Sequence, residues 1–207
     1  VVFLEIGQDV ALSGKYVEDA VNDGVRQAYE NFRKSSVHPL SRKNSGDNTP
    51  AIIHTRVVKG DKVKVSCMMK GFGSENMSRL FMLTPADGVE GVVEKVVETV
   101  KDAGSCPCPP VILGVGVGGT MEKAAIMSKH ALLNDLDKEN PDEYLSSLEK
   151  EMLEKINALG IGAEGFRGDV TALRVFIETE NTHIAGLPVA VTVQCHCSRH
   201  GERIIEG

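Results

Sequence analysis

One apolar stretch flanked by thiols constrains this chain more than any other feature. From Pro188 to Cys195 apolar residues alternate loosely with small or polar ones, which predicts a buried strand. Val189, Val191, Val193, Cys195 and Cys197 share one parity, so while the strand holds they project from one face. The strand therefore carries a thiol out of a packed core to its own end. His183 stands just before the strand, ahead of Ala185-Gly186. A second run of the same kind, Ser105-Cys106-Pro107-Cys108-Pro109-Pro110, leads into another strong strand signal at Val111 to Val117. Two thiol-bearing strand ends and a histidine point to a metal or cluster site.

The rest of the composition narrows the setting. The chain has 207 residues, 42% of them hydrophobic, with six Phe, three Tyr and no Trp. It can bury a core, and that core must be built mainly from Val, Ile, Leu and Met. A net charge of −6, without a basic run, argues against nucleic acid as a partner. No apolar run approaches the ~20 residues of a membrane span. Five cysteines cannot all pair, and no leader precedes them, so reduced thiols in the cytoplasm are expected. Val1 to Ile6 already reads as the middle of a strand, from which a fragment lacking its own N-terminal segment is expected.

In chain order, residues 15 to 34 show helical spacing, with Val17, Val21, Val25, Ala28 and Phe32 on one stripe and Arg33 and Lys34 in the last turn. On spacing alone Arg33 is a partner for the helix dipole. A loop at 35–50 ends in Gly46-Asp47-Asn48-Thr49-Pro50. Runs at Ala51 to Val58 and Lys62 to Met69, separated by Lys59-Gly60-Asp61, carry a hairpin signal that puts Cys67 on the apolar parity as a core thiol. Lys70 to Asn76 is a glycine-containing turn with polar ends. Thr84-Pro85-Ala86-Asp87 combines an N-cap, a Pro at the first helical position and an acid at N3, opening a helix that runs to about Ala103.

Gly114-Val115-Gly116-Val117-Gly118-Gly119 satisfies G-x-G-x-x-G between a strand and a helix. A nicotinamide site would also need a second parallel strand ending in an acid about 20 residues on. The chain instead offers two successive helical patterns, Met121 to Leu133 and one opened by Asn140-Pro141-Asp142-Glu143 that ends at Gly160. With no β-α-β unit expected to close, nicotinamide is rejected, and the amides at Gly118 to Thr120 are left as a seat for an anion such as a substrate carboxylate. A strand at Val170 to Ile177 completes the pattern. The fold class is α+β, with mixed and antiparallel sheets and packed helices, in one domain over residues 1–207.

Several motifs occur in one order: Gly-Asp-Asn-Thr-Pro at 46–50, Lys-Gly-x-Gly-Ser-Glu-Asn-Met at 70–77, Leu-Thr-Pro-Ala-Asp-Gly at 83–88, Cys-Pro-Pro at 108–110, Gly-Gly-Thr-x-Glu-Lys-Ala at 118–124, then Leu-Pro-Val-Ala-Val and Gln-Cys-His. Together they resemble the α subunit, the N-terminal catalytic half, of class I fumarate hydratases and L-tartrate dehydratases. The resemblance implies a [4Fe-4S] cluster held by three cysteines, whose open iron acts as a Lewis acid in reversible hydration of fumarate to (S)-malate. It assigns Cys108 and Cys195 as two of the ligands and leaves Cys106 and Cys197 as bystanders. The third belongs to a Cys-Gln-Asp-Thr-Gly stretch expected upstream of Val1, so residues 1–207 by themselves are expected to hold no cluster and to be inactive.

The same resemblance carries over three more roles. His183 becomes an acid–base group. Arg33 becomes a bidentate clamp for a substrate carboxylate, reversing its reading from spacing. Gly73 becomes a glycine whose backbone approaches the substrate, with Ser74 and Asn76 beside it. It further implies a β subunit completing the active site, self-association through α to α2β2, and a small dicarboxylate as substrate. L-tartrate dehydration is the alternative within the class. A structural zinc module on Cys106, Cys108, Cys195 and Cys197 is the alternative outside it. The cluster reading demands that Cys108 and Cys195 lie close together. It also expects a pocket beside them lined by His183, Gly73 and the Gly118-Gly119 amides, with Arg33 reaching in.

Overall fold

The computed structural model describes residues 1–206. It is α+β, with two four-stranded mixed sheets, and the chain divides into two compact units: Val1–Met68 joined by the chain from His200, and Met69–Arg199. Among the described residues no helix is long and apolar enough to cross a membrane.

In the first unit, strand β1 (Val2–Gly7) is central, with β2 (Ile53–Val58) parallel on one side and β3 (Lys62–Met69) antiparallel on the other. The apparent hairpin is therefore not a paired one, because β1 lies between its two arms. A further strand, β8 (Arg199–Glu206), flanks β3 and was not anticipated from the sequence. Cys67 is exposed rather than in the core, because the buried positions of β3 fall on the opposite parity. The even-numbered face of β3 carries the pairs Lys62–Glu206 (2.6 Å) and Lys64–Glu202 (2.7 Å), and its Ser66 and Met68 are the buried positions. Helix α1 is shorter than its stripe suggests, spanning Val17–Ala28, and none of its residues is buried. Lys34 turns back to place Nζ on the carbonyls of Tyr29 and Glu30, so the cation at this helix end is Lys34, and Arg33 lies beyond the helix.

The second unit carries the larger core. Its sheet runs β4 (Arg79–Leu83), β7 (Leu187–Gln194), β5 (Val111–Gly118), β6 (Ala172–Glu180). On one face, Val111, Leu113 and Val115 of β5 and Val189, Val191 and Val193 of β7 meet helices α3 (Gly88–Ala103) and α5 (Glu143–Asn157). Val92, Val96 and Val100 of α3 fall on one side at i, i+4, i+8, as do Leu148, Met152 and Ile156 of α5. Each such side chain taken from water contributes roughly 1.5–3 kcal/mol. The Thr84–Asp87 capping box forms as the sequence proposes, leading through a 3₁₀ turn into α3.

The opposite face of β5 explains its glycines. A Cβ built on Gly114 would lie 1.9 Å from the Ser128 carbonyl oxygen, and one on Gly116 would lie 2.1 Å from that of Ala124. Helix α4 (Met121–His130) thus rests directly on the strand backbone, and Gly-x-Gly exists here for helix–sheet contact. We expect Gly116→Ala to destabilise the protein by about 3 kcal/mol, since backbone rather than a flexible side chain must yield. A loss of stability below 1 kcal/mol in urea denaturation would contradict this packing role.

One sequence expectation is corrected here. β5 and β6 are parallel neighbours, with Val117 opposite Thr179 and Gly118 opposite Glu180. A crossover unit does close, through α4 and α5 in succession, and the ground on which a nicotinamide site was set aside does not hold. The spacing hid the unit because two helices, not one, fill the connection.

Candidate active site

β7 and β5 run antiparallel, with Ile112 opposite Gln194, so the start of β5 and the end of β7 lie at the same edge of the sheet. Cys108 precedes the first and Cys195 follows the second. Gly104, at φ 53, stops α3 and turns the chain into the Cys106–Pro110 loop. Cys108 itself has a left-handed φ of 55. Its carbonyl oxygen accepts from the backbone N–H of His196 at 3.5 Å and faces the same residue's Nδ1 at 3.0 Å. A carbonyl only accepts, so Nδ1 bears the proton, and Glu164 Oε1 at 3.4 Å from the same nitrogen favours that form. Glu164 is fixed in turn through its backbone N–H, which donates to the Pro109 carbonyl at 2.8 Å.

The two thiol-bearing loops are thereby tied to each other. The Cys108 thiol is pushed up by desolvation, and then by the charges of Glu164, Cys195, Cys197 and Cys106. Cys106, Cys108, Cys195 and Cys197 all belong to the two loops at this end of the sheet. Among the described residues no three His, Cys, Asp or Glu side chains are placed to hold a metal ion by themselves. The pair at Cys108 and Cys195 suits iron–sulfur ligation in kind, since both donors are unpaired thiols. A third ligand would have to come from outside this geometry.

Gly73 belongs to the same edge. It lies in the short helix α2 (Phe72–Glu75), where an added Cβ would meet the Cys106 carbonyl oxygen at 3.7 Å. A polar network that sequence reasoning did not assign holds α2 in place. Ser74 Oγ donates to the Gly71 carbonyl at 2.9 Å and lies 3.5 Å from Oε1 of the buried Gln194, whose Nε2 donates to the Met69 carbonyl at 2.9 Å. Lys70, with only 5% of its side chain exposed, donates to Ser74 Oγ at 2.8 Å and faces Glu75 at 3.4 Å; Lys129 of α4 reaches Glu75 from the other side. Burial pushes the Lys70 ammonium down, opposed by Glu75 and more weakly by Cys195. Burial also works to raise the Glu75 carboxyl, but Lys129 and Lys70 outweigh it and hold it low. The sequence signal for this cluster was the Lys-Gly-x-Gly-Ser-Glu motif itself, whose charges sit on a turn that reads as solvated until the turn is packed.

His183 is elsewhere. It lies before the first residue of β7, whereas Cys195 follows the last. The eight residues of β7 at about 3.3 Å each put about 25 Å between the two ends. Its Nδ1 accepts the Ala185 N–H at 3.2 Å, and its neighbour Thr182 donates from Oγ1 to the Gly119 carbonyl at 2.8 Å. Beside His183 is a cavity of about 420 Å³, walled chiefly by Val89, Val92, Val117, Leu148, Ile177 and Ile184. The Gly118-Gly119 turn shares this end of the sheet. Its Gly119 N–H is spent on the Glu180 carbonyl at 3.3 Å, which weakens its standing as an anion seat. The single pocket expected to unite His183, Gly73 and these amides with the cysteines does not form within the unit, because β5 and β7 hold the two groups at opposite ends. Arg33 is exposed in the first unit, with its carbonyl accepting from Asn48 Nδ2 at 3.0 Å.

Comparison with known proteins agrees with the motif order. The family model described as fumarate hydratase (fumerase) matches residues 1–204. A protein of Methanocaldococcus jannaschii named "Putative L(+)-tartrate dehydratase subunit alpha" is 43% identical over 215 residues, covering 100% of this chain and 75% of that protein. The L(+)-tartrate dehydratase subunit alpha of Escherichia coli O157:H7 is 30% identical over 210 residues, covering 98% of this chain and 69% of its own length. The chain belongs to the fumarate hydratase family, a family of hydro-lyases.

Proposed function

We propose that residues 1–207 are one α-type catalytic domain of an iron–sulfur hydro-lyase that reversibly hydrates fumarate to (S)-malate. The observation that carries this reading is the contact of the Cys108 carbonyl with His196, the residue after Cys195, which brings the two thiol-bearing loops to one end of the sheet. When bound, a [4Fe-4S] cluster with an open iron supplies a Lewis acid for the substrate hydroxyl and a carboxylate oxygen. This chain contributes Cys108 and Cys195 as two ligands and the Gly73 backbone as part of the substrate wall. Arg33 grips a carboxylate through its planar fork. His183 moves a proton: with Nδ1 occupied by the Ala185 N–H, its neutral ring keeps the proton on Nε2, free to be given to or shared with substrate.

Because His183 and Cys195 lie at opposite ends of β7, a histidine acting at the cysteine site comes from a second copy of the chain. That fits self-association through α, with a β subunit completing each site, as the "subunit alpha" names of the relatives favour. Five unpaired thiols suit a reducing cytoplasm.

A second reading is L-tartrate dehydration, favoured by the names of those relatives. Turnover of (S)-malate and of L-tartrate by the assembled α/β enzyme, prepared without oxygen, chooses between them. Preference for malate or fumarate by tenfold or more in kcat/KM upholds the first reading, and the reverse installs the second. Iron and sulfide analysis of the same preparation tests the class: zinc alone would point instead to the structural module.

A further inference from the structure

The Gly46–Pro50 motif has no chemistry of its own in this reading, yet its side chains close around one short piece of backbone. Asn48 makes three hydrogen bonds to it: Oδ1 accepts from the N–H groups of Ser35 (2.5 Å) and Ser36 (3.3 Å), and Nδ2 donates to the carbonyl of Arg33 (3.0 Å). Donor and acceptor are both needed at once, and the Asn amide supplies them on two separate atoms, an oxygen that takes both serine N–H groups and a nitrogen that reaches the Arg33 carbonyl. Asn48 adopts a left-handed φ of 63, a conformation that Asn tolerates better than most residues.

The loop that presents Asn48 is itself anchored. Asp47 Oδ2 accepts from Arg26 Nε of α1 at 2.6 Å, while its Oδ1 accepts from the Thr49 N–H (3.0 Å) and hydroxyl (2.7 Å). Asn44 Nδ2 donates to the Lys34 carbonyl at 2.9 Å, and the Ser45 N–H donates to the Ser36 carbonyl at 2.9 Å. The backbone from Arg33 to Ser36 lies outside any helix or strand named above, so these bonds stand in for regular structure in fixing where the Arg33 side chain starts.

We infer that Asn48 is a positioning residue for Arg33: its carboxamide sets the backbone of the carboxylate-gripping arginine, and through it the affinity for the dicarboxylate. The inference rests on the role proposed for Arg33. A bidentate grip depends on direction as well as charge, so a small rotation of its base is felt in binding.

Asn48→Asp is the discriminating variant. It tolerates the same left-handed backbone and keeps both bonds from the serine amides, but it cannot donate to the Arg33 carbonyl. In the assembled, cluster-loaded α/β enzyme we expect KM for the dicarboxylate to rise about tenfold with kcat changed by less than about twofold, the size of one hydrogen bond expressed in binding. Arg33→Lys should raise KM as well. The double variant should rise no further than the larger single one, because both disturb the same grip. Urea denaturation of Asn48→Asp should show no more than the modest loss expected of one exposed hydrogen bond, and its iron content should stay at the wild-type value. If Arg33→Lys raises KM while Asn48→Asp is silent, adds independently, or acts only through lost stability, the positioning role is overturned and the role of Arg33 stands. If Arg33→Lys leaves KM unchanged, the role of Arg33 itself falls, and the inference with it.

Discussion

A mixed assembly carrying His183→Ala in one α copy and Cys195→Ser in the other should recover activity that neither variant shows alone. The reason is geometric. Within one copy about 25 Å of strand, eight residues at about 3.3 Å each, lies between the turn that carries His183 and the loop that carries Cys195. No side chain bridges that distance, and the hydrogen bonds of β7 to β5 and β4 leave the strand no freedom to fold back. If each active site takes its cysteines from one copy and its histidine from the other, the mixed pair holds one site with both defects and one with none. Each homogeneous variant should lose roughly a hundredfold or more in turnover, the usual weight of a positioned acid–base group or a lost cofactor ligand. The purified mixed pair should return about half the wild-type rate, as expected of two equivalent sites in a symmetric dimer. Co-expression with two different affinity tags isolates that species. Activity no higher than the single variants would place His183 outside the cysteine site altogether, and would direct attention to the apolar cavity beside it.

The second large effect concerns the thiols. Cys108→Ser and Cys195→Ser should each abolish the visible absorbance of the cluster in the complete enzyme, together with all but a trace of activity, whereas Cys197→Ser should spare both. Cys197 is exposed beyond the end of β7, and Arg199 Nη1 lies against its carbonyl (3.1 Å) and its sulfur (3.7 Å). Cys195 directly follows Gln194, which is nearly fully buried and tied to the Met69 carbonyl, whereas Cys197 follows the exposed His196. Rigid support of a ligand is what a metal site requires. A cluster that survives in Cys195→Ser and vanishes in Cys197→Ser would mean that the wrong thiol of the pair has been assigned.

The sequence by itself determined a good deal. Helices α3 and α5 were legible because Val92, Val96, Val100 and Leu148, Met152, Ile156 repeat at the spacing of one helical face, a local pattern that needs no partner to be read. The Thr84–Asp87 cap was legible for the same reason, being chemistry among four consecutive residues. The family was written in the order of its motifs, and Cys108 and Cys195 were paired on that basis. What the tertiary structure alone decided is everything that depends on which strand lies beside which. The parity that predicted a buried Cys67 was the wrong one, since β3 buries Ser66 and Met68 on its other face, and that face is set by what packs on the sheet rather than by the strand's own alternation. The Gly-x-Gly run matched a dinucleotide-binding pattern in letters alone, and only the seat of α4 on Gly114 and Gly116 showed what the missing side chains make room for. Most consequentially, periodicity placed His183 and Cys195 on one segment, and nearness along a chain suggested one site. A strand is the most extended form a chain can take, so twelve positions of sequence became the full width of the sheet, while Cys108, far away in sequence, came to rest against His196.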